Sequence, residues 1–327
     1  MTVKTTQSGA PSPAFRSGFV SIIGRPNVGK STLMNLFLGE KIAIVSSKPQ
    51  TTRNKITGIL TGEGFQAVFL DTPGLHEPTS KLGQYMMKSV ESAVADVDVL
   101  LFLTEPREKM PAGDRAALDK IEGIANNNRI RCGAGNDSGR TPVFLVINKI
   151  DLVEKPALLR IIDGYSRLYD FAEVIPISAR NAENTGLLLE KIRERLPEGP
   201  MYFPEDMITD QPERQIAAEL IREKALKFLQ EEVPHGVAVE IQSMKKRPDK
   251  ELVDVEATIY CEKDSHKGIL IGKNGDMLKK IGTAARKDAE RLLGSPFYLR
   301  LWVKVKKDWR DNDFLLRSFG YDARNVE

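Results

Sequence analysis

The chain has 327 residues, 41% of them apolar and 28% charged, with a net charge of +3; that length and composition suit two packed domains. Two cysteines are too few for a disulfide framework, and no run approaches the roughly 18–20 apolar residues of a membrane span. A disulfide-stapled module and a helical membrane protein are therefore excluded, and a reducing, cytoplasmic setting is expected.

Residues 1–17 hold basic residues, no acidic ones and two prolines, so a disordered tail is expected there. The apolar run Phe19, Val20, Ser21, Ile22, Ile23 reads as a strand. It leads into Gly24-Arg25-Pro26-Asn27-Val28-Gly29-Lys30-Ser31, the pattern G-x-x-x-x-G-K-[ST]. Thr32 and the residues after it have helical spacing, so the order is strand, glycine turn, helix. In that setting successive backbone N–H groups face phosphate oxygens, and the helix N-terminus adds positive potential. Lys30 neutralises β- and γ-phosphates, and Ser31 offers a hydroxyl to Mg²⁺.

Val68, Phe69 and Leu70 form a second buried run ending in Asp71-Thr72-Pro73-Gly74. Asp71 is placed to hold Mg²⁺ through water, and the Gly74 N–H to sense the γ-phosphate. Residues 125–141 are polar and rich in Gly and Asn, and are expected to form a surface insertion.

The run 143–147 is continuously apolar, as a buried parallel strand should be, and ends in Asn148-Lys149-Ile150-Asp151. A carboxylate there accepts two N–H bonds from guanine's N1 and N2, a pair that adenine lacks. Lys149 can lay its stem over the base. A further strand, 174–177, ends in Ser178 and Ala179, where the backbone can approach the guanine carbonyl. The expected ligand is GTP or GDP. The expected nucleotide-binding set is Gly24, Asn27, Val28, Gly29, Lys30, Ser31, Thr32, Asp71, Thr72, Pro73, Gly74, Asn148, Lys149, Asp151, Ser178 and Ala179.

Residues 197–210 are Pro-rich and acidic and read as a linker, and Asp210 with Glu213 could cap the helix that follows. Ile216, Ala217, Leu220, Ile221, Ala225, Phe228 and Leu229 form its apolar stripe. Strands are expected at 237–241, 252–260 and 297–305, with a helix over 277–293. Residues 245–310 carry 17 Lys and Arg against 10 Asp and Glu, a local excess of seven on an otherwise acidic chain. Such a basic module points to a polyanion partner. The order α-β-β-α-α-β, with Ile271-Gly272-Lys273-Asn274-Gly275 between the later helices, resembles a type II KH domain. In that fold the G-x-x-G loop clamps a single-stranded nucleic-acid backbone. Lys273 would pair with phosphates, and Ile269 and Ile271 would supply part of an apolar floor.

The nucleotide segments, in order, look like the G1, G3, G4 and G5 motifs of translation-factor-type GTPases. Pro49-Gln50-Thr51-Thr52-Arg53-Asn54 falls where G2, the first switch, belongs. With the KH-like segment, nearly the whole chain resembles the Era family, Ras-like GTPases with a KH domain that act in small ribosomal subunit assembly. The resemblance implies an α/β P-loop domain with a mostly parallel sheet over 18–196. A smaller α+β type II KH domain with a C-terminal extension would follow over 211–327. It also implies a monomeric, Mg²⁺-dependent GTPase that binds the 3′ end of small-subunit ribosomal RNA and the 30S subunit.

Within that resemblance Lys30, Asn27, Thr52 and Gly74 are the expected catalytic set, and Ser31, Thr52 and Asp71 the metal set. Thr52 is the switch threonine, with Thr51 the fallback. Leu75 stands where Ras-like enzymes carry the water-orienting Gln, and the next residue, His76, is read as a surface group of the switch. Intrinsic hydrolysis should then be slow. Asn27 stands where related GTPases coordinate K⁺ beside the phosphates; the alternative is that it only shapes the loop. The competing functions are a GTPase coupled to RNA modification, and a signalling GTPase in peripheral contact with the inner face of the cell membrane.

Overall fold

The computed structural model describes residues 14–46, 48, 50–75, 78–127, 140–322 and 324. Most of the tail, Pro49, His76, Cys132 and the middle of the 125–141 insertion therefore lie outside the described residues. The first body is built from β1 (Arg16–Ile23), α1 (Lys30–Leu38), β2 (Ile56–Gly62), β3 (Phe65–Asp71), α2 (Lys81–Val94), β4 (Val99–Thr104) and α3 (Ala112–Asn127). It continues with β5 (Val143–Ile147), α4 (Lys155–Ser166), β6 (Glu173–Pro176) and α5 (Thr185–Arg195). The sheet order is β2-β3-β1-β4-β5-β6, parallel except for the antiparallel hairpin β2–β3.

The two faces of this sheet bury separate cores. Val20, Ile22, Leu33, Phe69, Leu101, Phe144 and Leu188 pack on one side; Ile23, Val68, Val90, Phe102, Leu118, Leu145 and Ile161 pack on the other. Strands covered on both faces read as unbroken apolar runs, which is why β4 and β5 carry no alternation. The three P-loop, acidic and base-reading segments all leave the carboxyl ends of parallel strands on one rim, where open α/β sheets bind ligands.

Three expectations need correction here. β1 begins at Arg16, so Arg16 and Ser17 belong to the sheet rather than to the tail. The Arg16 guanidinium donates to Leu196 O at 2.8 Å, and the Arg16 N–H donates to Gly64 O. α3 runs to Asn127, past the start expected for the insertion. The connecting segment 197–210 is pinned to the sheet margin. Gln66, fully buried, accepts the N–H groups of Tyr202 and Phe203 at 2.9 and 3.0 Å. Thr209 Oγ1 donates to Thr57 O at 2.6 Å, and Ile59 N–H donates to Ile208 O at 2.9 Å. The segment thereby covers part of the exposed edge of β2, a margin that would otherwise offer unpaired backbone groups.

The second body comprises α6 (Glu213–Phe228), β7 (Ala238–Lys246), β8 (Val253–Cys261), α7 (Asp264–Ile271), α8 (Asp276–Leu293) and β9 (Phe297–Val305), then a short α9 (Asp313–Ser318). β7 and β8 are antiparallel, and β8 and β9 parallel. The helices cover one face, burying Ile221, Val255, Ile259, Leu270, Ile281 and Ala285. α6 begins after Pro212, which makes no side-chain cap, so neither Asp210 nor Glu213 caps it as expected. α9 is capped by Asn312, whose Oδ1 accepts the N–H groups of Phe314 and Leu315.

A fourth cluster joins the two bodies. Leu82, Tyr85 and Met86 of α2 pack with Ala238, Tyr260, Trp309, Leu316 and Tyr321.

Candidate functional site

The P-loop is shaped by its neighbours before any ligand arrives. Gly29 has φ 105°, and a Cβ there would lie 2.2 Å from Asn148 Nδ2, so only glycine fits. Asn148 itself is 2% exposed and bridges three motifs. Its Nδ2 donates to Val28 O at 2.8 Å, and its Oδ1 accepts Ala179 N–H at 2.9 Å. Lys149 adopts φ 67° and sends Nζ to Asn27 O at 2.7 Å and to Glu105. Asp151 Oδ1 accepts from Ser178 Oγ at 2.7 Å. The base-reading segments and the phosphate loop are thus one connected unit.

Lys30 is buried, and its Nζ donates to Gly24 O and Arg25 O, both at 3.0 Å. Burial lowers this ammonium to about 8, against the attraction of Asp71. Burial pushes the Asp71 carboxyl up to about 6, although Lys30 and bonds from Ser31 and Thr52 pull the other way. Ser31 Oγ donates to Asp71 Oδ2 at 2.5 Å, and Thr52 Oγ1 lies 3.1 Å from Ser31 Oγ and 3.5 Å from Asp71 Oδ2. Asp71 Oδ1 is buried without a partner. Three converging oxygens and an orphaned carboxylate oxygen fit a hard divalent cation. The Thr51 hydroxyl instead donates to Lys48 O at 2.6 Å, so of the two adjacent threonines only Thr52 reaches this cluster.

The turn after β3 rests on the P-loop. Leu75 N–H donates to Gly24 O at 3.2 Å, and a Cβ on Gly74 would meet Pro26 at 2.6 Å. The Leu75 side chain packs against the apolar core, and Thr72 Oγ1 donates to Ile22 O at 2.8 Å. Pro73 lies between them in that turn. Thr32, within α1, lines the cleft of about 590 Å³ that also holds Asn27, Lys30, Ser31, Thr52 and Gly74.

Two groups escaped the sequence reading. Asp114, fully buried on α3, holds Arg25 Nε at 2.6 Å and Thr104 Oγ1 at 2.7 Å, fixing the P-loop from below. Glu105 steadies Lys149. Both follow the β4 strand, and their spacing carries no motif.

In the second body Gly272, Asn274 and Gly275 all have positive φ, at 74°, 53° and 82°. A Cβ on Gly272 would lie 2.8 Å from the Met277 Cβ. The loop turns tightly between α7 and α8 and presents Lys273 and Asn274 to solvent. Ile269 is exposed, but Ile271 is half-buried against the helix–sheet core and Leu270 fully so. Of the two isoleucines expected in the floor, Ile269 is the freely accessible one.

The family described as 50S ribosome-binding GTPase matches residues 19–149, and the KH domain family matches 232–310. GTPase Era of Caldanaerobacter subterraneus subsp. tengcongensis is 54% identical over 308 residues, covering 94% of this chain and 98% of that protein. The chain belongs to the Era family of GTPases. GTPase Era of Clostridioides difficile is likewise 54% identical, over 311 residues that cover all of it. An Aquifex aeolicus Era variant bound to GDP and AlF4⁻ superposes with a TM-score of 0.87 at 39% identity. That match covers 94% of this chain and 100% of that one. Era in complex with MgGDPNP and nucleotides 1506–1542 of 16S ribosomal RNA also superposes with a TM-score of 0.87, at 39% identity. Its match covers 94% of this chain and 99% of that one. The fold is therefore a P-loop GTPase domain followed by a KH domain, as membership of the Era family requires.

Proposed function

We propose that this Era-family GTPase is a GTP-driven switch that grips the single-stranded 3′ end of small-subunit ribosomal RNA and acts in 30S assembly. One observation carries the reading: a cleft lined by the P-loop, Thr52, Gly74 and Lys149 and a positive-φ G-x-x-G loop stand on one packed chain. The Era structure holding MgGDPNP and a 16S fragment supports the pairing of those two ligands.

In the reaction, Lys30 and the N–H groups of the P-loop hold the β- and γ-phosphates, and Asp151 and Lys149 hold the base. Mg²⁺ would be held by Ser31, Thr52 and, through water, Asp71; when bound it supplies positive charge to the β- and γ-oxygens. The Gly74 N–H turns toward the γ-phosphate and orders the segment behind it. Leu75 offers no hydrogen bond to the attacking water, so turnover is slow.

Asn27 is exposed at the lip of the cleft, with φ 65°. Its side chain and switch I carbonyls would together hold K⁺ beside the phosphates, in the role of an arginine finger. Turnover in K⁺ should exceed that in Na⁺ several-fold, and Asn27→Ala should remove the difference; equal rates in both salts would dismiss the K⁺ site.

The proposed role belongs in the cytoplasm, with the ribosomal precursor. Among the described residues no helix is long and apolar enough to cross a membrane. Co-sedimentation of the full chain tests the reading. With a GTP analogue it should travel with 30S subunits and not with anionic lipid vesicles. Pelleting with vesicles alone would favour the peripheral-membrane signalling function instead.

A further inference from the structure

Outside the nucleotide cleft, buried charge is most concentrated on α6. Arg222, Glu223 and Lys224 are consecutive, yet only 1%, 3% and 6% exposed. Neighbouring helix positions point about 100° apart, so burying all three requires cover on more than one side. The KH core supplies one cover, and Lys41, Val45, Gln50 and Thr51 of the GTPase domain supply the other. Glu223 Oε1 accepts Val45 N–H at 3.0 Å, and Oε2 accepts Lys41 Nζ at 2.5 Å. Asp288 on α8 accepts the same Lys41 ammonium at 2.9 Å and also that of Lys224. The Arg222 guanidinium donates to Thr51 O and, at 3.5 Å, to Gln50 O, while Glu219 braces it at 2.9 Å.

A second arginine runs the other way. Arg53 belongs to the GTPase domain but is 1% exposed inside the second body. It donates to Val237 O at 2.7 Å, His235 O at 3.1 Å and Tyr321 Oη at 3.3 Å. Its guanidinium carbon lies 5.4 Å from the Trp309 ring and 5.9 Å from that of Tyr321. Thr52 sits between the two anchored points. The carbonyl before it is held by Arg222 of α6, and the side chain after it is held by the turn that leads into β7 and by the C-terminal extension.

We propose that Arg53 and Arg222 are positioning residues for GTP hydrolysis, through which the KH domain holds the Thr52 hydroxyl at the metal-side cluster. The inference rests on Thr52 as the metal-side threonine. Charge-assisted bonds to buried carbonyls are the strong class, and an arginine fork fixes direction as well as distance. Arg222 and Arg53 tie the chain on either side of Thr52, whereas the bonds from Glu223 to Val45 and from Asn35 to Ala43 anchor it further upstream. GDP needs the P-loop and the base-reading loops but not Thr52, because switch segments are ordered by the γ-phosphate and its metal. The clasp should therefore affect GTP turnover and Mg²⁺ dependence, not GDP affinity.

The test uses the full chain, measuring GTP turnover at saturating nucleotide against Mg²⁺ concentration, with GDP affinity beside it. Arg222→Gln and Arg53→Gln should each lower turnover about tenfold and raise the half-saturating Mg²⁺ by a similar factor. GDP affinity should stay within about twofold, as for a coupling confined to the switch. Thr52→Val should be slow by itself, and Arg222→Gln added to it should slow it no further, because Arg222 acts through Thr52. Additive losses, parent-like Mg²⁺ curves in both arginine variants, or a matching loss of GDP affinity would each overturn the clasp. Unchanged turnover in Thr52→Val would overturn the metal-side reading itself, and the clasp with it. If Arg53→Gln does not fold, Arg222→Gln decides.

Discussion

Replacing Asp151 by asparagine should weaken GTP binding by roughly 100-fold or more and turn preference toward xanthine nucleotides. Asp151 sits exposed in the turn after β5, with one carboxylate oxygen already bonded to Ser178. Guanine presents two N–H donors to that carboxylate. An amide meets one of them with a donor, leaving like groups opposed and a polar pair unmade. Xanthine has a second carbonyl at that place, which the new amide can serve. The scaffold should be indifferent, because the bonds that knit G4 to the P-loop come from Asn148 and Lys149. A nucleotide titration should show GTP weakened and XTP gained at unchanged thermal stability. Equal GTP affinity would remove Asp151 as the base reader.

The second large effect is expected at the G-x-x-G loop. Changing Lys273 and Asn274 together to Asp should lower affinity for single-stranded RNA on the order of 100-fold. Both side chains are exposed on a loop whose glycines and left-handed Asn274 let a phosphate backbone come close. Two carboxylates there set like charge against phosphate. GTP binding should not change, since no residue of this loop lines the nucleotide cleft. Parent affinity should fall as salt rises, because phosphate contacts release counterions, and the variant's slope should be shallower. Filter binding of a 16S 3′-end oligonucleotide to the full chain checks both. Normal RNA binding by the double variant would leave the basic segment as a solvated face.

The nucleotide site was legible in the sequence because its demands are local. Successive N–H groups need glycine at fixed offsets, and buried parallel strands need unbroken apolar runs, so β5 was read at its observed bounds. β2 was not read, although Glu63 and Gly64 form a two-residue turn with φ 75° at the glycine. Both its faces are covered, Ile56 and Leu60 by one core and Ile59 by the other, while Thr57, Gly58 and Thr61 break up the apolar run, so neither alternation nor a continuous run stands out. Thr51 and Thr52 could not be separated by pattern, since adjacent identical residues differ only in where the chain turns them. Arg222, Glu223 and Lys224 look in sequence like a solvated helix face. Only a partner from about 170 residues earlier in the chain makes them interior. Ile269 and Ile271 could not be told apart by pattern either: α7 leaves Ile269 exposed and half-buries Ile271 against the helix–sheet core.

The two tryptophans happen to divide the molecule's optical signal. Trp302 stands 41% exposed on β9, whereas Trp309 is fully buried, bonded through Nε1 to Gly236 O and stacked on Tyr321 beside Arg53. With Trp302 changed to Phe, all indole emission would arise at the junction between the domains. A red shift and easier acrylamide quenching would then mark the moment that junction parts, so nucleotide exchange and RNA release could be timed without attaching a dye.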